Sequence, residues 1–328
     1  MKPKVLRDHL VKLMEAREPV LVKGAPGVGK SDIINQVAEI TGFDLILTHP
    51  VVSDPTDYKG LPGIVNGQAE FLPFGDLRAM IEAKKPTIAF LDDLGQAPAV
   101  VQASVMQLIL ARRVNGHKIS KNVVFVAATN RRQDRAGVTG ILEPVKSRFV
   151  TILELQPDKD DWIEWALQHD MPSEVIGFVH FRPDLLSKEE ATADIVNHPC
   201  PRTIAAAGRL IKLGLSSMEC IAGAVGEGCA SELVGFIKIF NELPNIDTIL
   251  MDPTNAKVPL DPSAQYAITA ALVGITTKDN VERVFSYASR LPADFSMLLV
   301  RDVIRKTPKI QQTAAFIKWA AAHRNFLV

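Results

Sequence analysis

The octapeptide Gly24-Ala25-Pro26-Gly27-Val28-Gly29-Lys30-Ser31 constrains the fold of this chain more than any other stretch. It fits the pattern G-x-x-x-x-G-K-[ST] at every defined position. Its setting fits as well. Upstream, Pro19-Val20-Leu21-Val22-Lys23 reads as a short buried strand, and downstream, residues 32–40 carry helical spacing. A strand that turns through glycines into a helix points its backbone amides into one concavity. The helix start adds its partial positive charge there. In such a cradle Lys30 reaches the terminal phosphates of a ligand and Ser31 holds a magnesium ion. The plain alternative is a glycine-rich turn before an ordinary helix, and the flanking strand and helix weigh against it.

Further along, β-rich runs alternate with helical patterns. The runs are residues 20–23, 43–48, 87–91, 122–128 and 150–155. Alternation of this kind predicts a parallel sheet with helices on both faces. The central runs are continuously apolar, as strands buried on both faces should be. Residues 5–16 read as an amphipathic helix on the edge of that domain. Two segments interrupt the pattern. Residues 50–75 are too long for a plain connection, and Asn66-Gly67 inside them predicts a hairpin turn. A second Asn-Gly pair, Asn115-Gly116, predicts another hairpin between a helix over 98–113 and the fourth strand. After Pro157 the pattern is helical: 158–169, 202–213, 218–240, 266–273, 280–289, 295–305 and 313–323. Four prolines between 244 and 262 predict a linker or long loop.

Four strand or segment ends carry polar groups suited to phosphate chemistry. Ile88-Ala89-Phe90-Leu91-Asp92-Asp93 is an apolar strand ending in two carboxylates. In a nucleotide-binding sheet such an end faces the ligand. Asp92 is placed to hold magnesium and Asp93 to polarise an attacking water. A solvated pair of turn acids is the bland alternative. Asn130 ends another apolar run, where it can bond the attacking water or a γ-phosphate; an Asn at a turn is common in itself. Arg148, in Ser147-Arg148-Phe149, precedes the fifth strand. It is either an idle surface charge or a finger aimed at a neighbouring subunit's phosphate. Arg202 starts a helix in the second half, where it either reaches back to the phosphates or is a surface charge.

Composition narrows the partners. Lys+Arg and Asp+Glu both number 37, so the formal net charge is +0. That disfavours a protein that coats polyanions. The basic clusters Arg112-Arg113 and Arg131-Arg132 with Arg135 read better as interface than as nucleic-acid contacts. The first nine residues carry no apolar run, and no stretch is long and apolar enough for a bilayer, so a cytoplasmic location and no membrane are expected. The 3 cysteines, Cys200, Cys220 and Cys229, fit no zinc or redox spacing and read as reduced structural thiols. Phe316, Trp319, Ile310 and Phe326 read as core near the C-terminus.

Together these motifs resemble the AAA+ ATPases, and within them the MoxR-like group. The resemblance covers about residues 1–240. Residues 24–31 are similar to Walker A, Leu91-Asp92-Asp93 to Walker B, Asn130 to the sensor 1 position, Arg148 to the arginine finger, and Arg202 in Cys-Pro-Arg to the sensor 2 arginine. The two hairpins fall where that group carries its helix-2 and pre-sensor-1 inserts. The resemblance implies a five-stranded P-loop sheet of order 5-1-4-3-2 over residues 1–156. An all-helical lid over 157–242 follows, then a helical extension over 243–328 that lies outside the match. It implies ATP or ADP bound at Gly24, Ala25, Pro26, Gly27, Val28, Gly29, Lys30 and Ser31, with Mg2+ at Ser31 and Asp92. Asp93, Asn130, Arg148 and Arg202 would be catalytic. It further implies a homo-oligomeric ring, expected to be a hexamer, that remodels or activates a client protein, in some relatives a partner with a von Willebrand factor A domain. The alternatives are an ATP-gated scaffold with little turnover and a nucleic-acid-handling ATPase. The group usually has Glu where this chain has Asp93, which puts fast hydrolysis in doubt.

Overall fold

Five of the apolar runs pair into one parallel sheet in the computed structural model, which describes residues 1–134, 140–188 and 194–323. The strands are β1 (Val20–Gly24), β2 (Asp44–Thr48), β3 (Thr87–Leu91), β4 (Val123–Thr129) and β5 (Thr151–Leu155). Across the sheet they run β5-β1-β4-β3-β2, the order that the resemblance implied. Register is set by side-chain alternation. Leu21, Ala89, Leu91, Val123, Phe125 and Ala127 point to one face, where Leu77, Met80, Val101, Val105 and Leu108 cover them. Val20, Val22, Ile88, Phe90, Val124 and Val126 point to the other, under Leu6, Leu10, Met14, Ile34 and Val37. The helix Pro3–Glu15 buries Leu6, Leu10 and Met14, one stripe at intervals of four residues, beside the helix Lys30–Thr41.

Both Asn-Gly hairpins form. Leu61–Val65 pairs antiparallel with Gln68–Leu72 across Asn66 and Gly67, which both have positive φ, 51° and 80°. Arg113–Val114 pairs with His117–Lys118 across Asn115 and Gly116, with φ 44° and 88°. That is the backbone a two-residue turn demands. The hairpins also touch. His117 Nε2 lies 2.8 Å from the Phe71 carbonyl, and Asn115 Nδ2 donates to the Lys59 carbonyl at 2.8 Å. A short helix, Pro55–Lys59, starts the long insert under a reciprocal cap of Asp54 and Asp57. Its Tyr58 is buried, with its hydroxyl 2.7 Å from Thr48 Oγ1 at the end of β2.

The chain divides into two compact units, Met1–Pro157 and Asp158–Val328. Among the described residues the second is all helical, around one core that runs from Trp162 to Trp319. The helix expected over 218–240 is two helices, Met218–Val225 and Glu227–Asn241. Gly226 breaks it at φ 80°, ψ 157°, and a β-carbon there would meet the Asn197 carbonyl at 2.8 Å. The proline-rich stretch expected as a loop contains the helix Ile246–Met251, capped by Asn245. A further helix, Ser173–Phe181, is too uniformly apolar to show a periodic face. Its His180 is buried against Asp302, Nε2 to Oδ2 2.6 Å, with Arg301 and Arg305 at 3.4 and 3.5 Å from the other carboxylate oxygen. Ile310 and Trp319 are core, and Phe316 packs against it; Phe326 lies outside the described residues. No described helix is long and apolar enough to cross a membrane.

Candidate active site

The loop from β1 into the helix Lys30–Thr41 is shaped by its glycines. Gly27 and Gly29 take φ of 71° and 98°, where side chains are strained. At Gly24 space is the constraint, since a β-carbon would lie 3.0 Å from the Leu155 carbonyl of β5. The helix begins directly after Gly29 with no side-chain cap, so its first amides stay with the loop.

Lys30 and Ser31 turn from this helix start toward the ends of β3 and β4. The Lys30 ammonium is buried. It donates to the carbonyls of Gly24 and Ala25, both at 3.0 Å, and to Asn130 Oδ1 at 2.7 Å. Asn130 therefore faces the loop lysine across the ends of adjacent strands. Ser31 Oγ donates to Asp92 Oδ2 at 2.7 Å. The other oxygen of Asp92 accepts from the Asp93 amide at 3.0 Å, so both oxygens of this carboxylate are oriented.

Asp93 takes a left-handed backbone, φ 55°, ψ 33°. Its Oδ1 accepts from Gln96 Nε2 at 3.0 Å and lies 3.5 Å from Asn130 Nδ2. Four of the residues expected from the sequence, Lys30, Ser31, Asp92 and Asn130, thus form a bonded constellation with Asp93 at its edge. Gln96 was not among the expected residues; a glutamine in a short turn carries no pattern of its own.

Arg148 follows the short helix Glu143–Lys146. It is half-buried, and its Nε is buried with no hydrogen-bond partner among the described residues. Arg202 lies in the second unit, in the first turn of the helix Pro201–Lys212. Cys200 precedes that helix as its cap, and its backbone N–H donates to Thr203 Oγ1 at 2.8 Å. The basic clusters are largely engaged internally. Arg112 donates to the Ser120 and Val123 carbonyls, both at 2.7 Å, and its guanidinium lies 5.9 Å from the Phe125 ring. Burial pushes its pKa down. Arg131 pairs with Asp134 at 2.8 Å and with Glu154 at 3.7 Å. Arg135 lies outside the described residues.

Residues 19–149 match the family model of the AAA domain, dynein-related subfamily. The matched segment takes in the loop, both carboxylates, Asn130, Arg148 and the two hairpins. Midasin of Giardia intestinalis is 25% identical over 180 residues, which is 52% of this chain. The chain spans 4% of that protein's length. Among solved structures, a mutant of Thermotoga maritima RuvB superposes with a TM-score of 0.44 at 16% identity, covering 91% of this chain and 88% of that one. NtrX from Brucella abortus, in complex with ADP, gives 0.37 at 13%, covering 98% and 67%.

Proposed function

We propose that this protein is an AAA+ ATPase that binds and hydrolyses Mg-ATP between the subunits of a ring and remodels or activates a partner protein, as MoxR-like chaperones do. The observation that carries the reading is the bonded set Lys30–Asn130 and Ser31–Asp92 at the mouth of the glycine loop. A lysine donor, a hydroxyl, a carboxylate and a helix start converge there, which is the donor set a Mg-triphosphate requires.

The residues fit a magnesium ion by their chemistry. Among the described residues no cluster of three or more His, Cys, Asp or Glu side chains forms a dedicated cage. Magnesium needs none, since one or two protein oxygens plus phosphates and waters suffice. Ser31 Oγ and Asp92 Oδ2, 2.7 Å apart, are such oxygens. When bound, the ion supplies charge neutralisation on the phosphates. The chain does the rest. Loop amides and the Lys30 ammonium orient the phosphates. Asp93 accepts the proton of the attacking water, and Asn130 fixes that water's position. Arg148 of an adjacent subunit supplies positive charge in the transition state, a device worth about 10³–10⁵ in rate where it operates. Arg202, in the helical lid over 157–242, takes the sensor 2 role that the resemblance implies, and residues 243–328 form a helical extension.

A second reading, an ATP-gated scaffold with little turnover, draws on Asp93. Aspartate is one methylene shorter than glutamate, and a misplacement of about 1 Å can cost on the order of 10²-fold. Steady-state ATPase measurement alongside gel filtration, with and without Mg-ATP, separates the two. Turnover with nucleotide-dependent oligomers supports the motor; oligomers without turnover support the scaffold. Arg112 and Arg131, being committed to internal partners, lend little to nucleic-acid handling.

A further inference from the structure

The turn Leu94–Gln96 follows directly on the two carboxylates and folds Gln96 back onto Asp93. Gln96 grips that residue twice. Its amide N–H donates to the Asp93 carbonyl at 3.0 Å, and its side-chain Nε2 donates to Asp93 Oδ1 at 3.0 Å. The other end of the side-chain amide, Oε1, is buried with no hydrogen-bond partner among the described residues. A buried acceptor left alone is unfavourable. Rotating the amide by half a turn would set Oε1 against the carboxylate oxygen, acceptor against acceptor. The Asp93 carboxylate therefore fixes the orientation of the Gln96 amide, at the expense of its own oxygen. Leu94, Gly95 and Ala97 around it are buried, so the side chain is held in a confined place.

We propose that Gln96 is a positioning residue that aims the Asp93 carboxylate, an inference that rests on the hydrolysis proposed above. Asp93 lacks the reach of a glutamate and sits on a left-handed backbone that a β-carbon resists. Short reach leaves little tolerance in direction. With Oδ1 held by Gln96, the carboxylate cannot rotate freely, and Oδ2 is the oxygen presented to a water. Asn130 Nδ2, at 3.5 Å from Oδ1, is the weaker of the two amides near that oxygen. Gln96 acts through Asp93 and needs no contact with nucleotide.

The test compares Gln96→Met, of similar length without a donor, and Gln96→Glu, which sets a second carboxylate against the first, with the parent chain. Both are read for kcat, KM, Mg-ADP affinity and melting temperature. The expected result is a fall in kcat of about 10-fold or more in each variant. KM and Mg-ADP affinity should stay within about twofold, and Gln96→Met should not melt lower, since it removes an unsatisfied buried oxygen. The inference is overturned if the parent turns over and Gln96→Met keeps its kcat. It is overturned equally if the loss of kcat tracks a loss of nucleotide affinity or of melting temperature, which marks a structural role. A parent that binds Mg-ADP but shows no turnover sinks the hydrolysis reading itself, and this inference with it.

Discussion

Under the proposed hydrolysis, the base of the site is one side chain, Asp93. If it polarises the attacking water, Asp93→Asn removes the base and spares the phosphate cradle, because Lys30 is held by Asn130 and the loop carbonyls, and Ser31 by Asp92, without it. ATPase activity of Asp93→Asn should fall to background while nucleotide affinity stays within about threefold. Equal turnover in mutant and parent would remove Asp93 from the mechanism. Another carboxylate, Glu154 on β5, sits in register beside Lys23 on β1, 2.9 Å from its ammonium. The Lys23 hydrogen bond holds its pKa below the usual range. A lowered folded pKa stabilises the protein above the unfolded value, near about 4.3, and that contribution is lost as pH falls through the folded value. Glu154→Gln should therefore cost stability at neutral pH, by less than about 1 kcal/mol for so exposed a pair. The difference from the parent should shrink in urea melts as the pH is taken down through the lowered folded value. At this scale the sequence was legible where a residue type has one use, as with Lys30 and Asp92. It was silent on Gln96 and on the left-handed backbone of Asp93, which arise from how the turn closes.

Strands and turns were read well because their signals are local. Continuous apolar runs mark strands buried on both faces, and Asn-Gly marks a turn with two positive φ values. Contacts between elements were not legible. Nothing in the sequence pairs His117 with Phe71 or Asn115 with Lys59, since those bonds depend on two inserts 40 residues or more apart lying side by side. The helix break at Gly226 was missed because apolar spacing continues through it. Asn115→Ala removes both a residue suited to left-handed backbone and the bond to the Lys59 carbonyl. It should destabilise the first unit by about 1–2 kcal/mol, read from the urea midpoint. In the same hairpin pair Ile64 is 82% exposed, well suited to meet another protein. Under the chaperone reading, deleting residues 64–71 should impair action on a client more than basal ATPase. A proportionate loss of both would make the hairpin a brace for its own domain.

For the molecule as a whole, each unit is held by its own core. The second contains a buried His180–Asp302 pair linking the helices Ser173–Phe181 and Ala293–Lys306. Asp302→Ala leaves the buried His180 ring nitrogen without its partner, and should destabilise that unit by about 1–3 kcal/mol, read by thermal melting. Assembly is where the ring proposal is most exposed. Arg148→Ala should lower ATPase while nucleotide affinity is retained, and mixing it with Asp93→Asn should restore part of the activity if the arginine acts on a neighbour. No restoration in mixed rings would place Arg148 in its own subunit's chemistry.

One claim underlies all of these: Lys30, Ser31 and Asp92 hold a magnesium-bound triphosphate at the glycine loop. The most direct measurement is equilibrium binding of ATP by calorimetry, with Mg2+ and with chelator, on the parent and on Lys30→Ala. The account predicts affinity that strengthens with Mg2+ in the parent and falls by about 10-fold or more in Lys30→Ala, since charge-assisted phosphate contacts are lost. Undetectable binding by the parent, or binding indifferent to both the metal and the lysine, would contradict it.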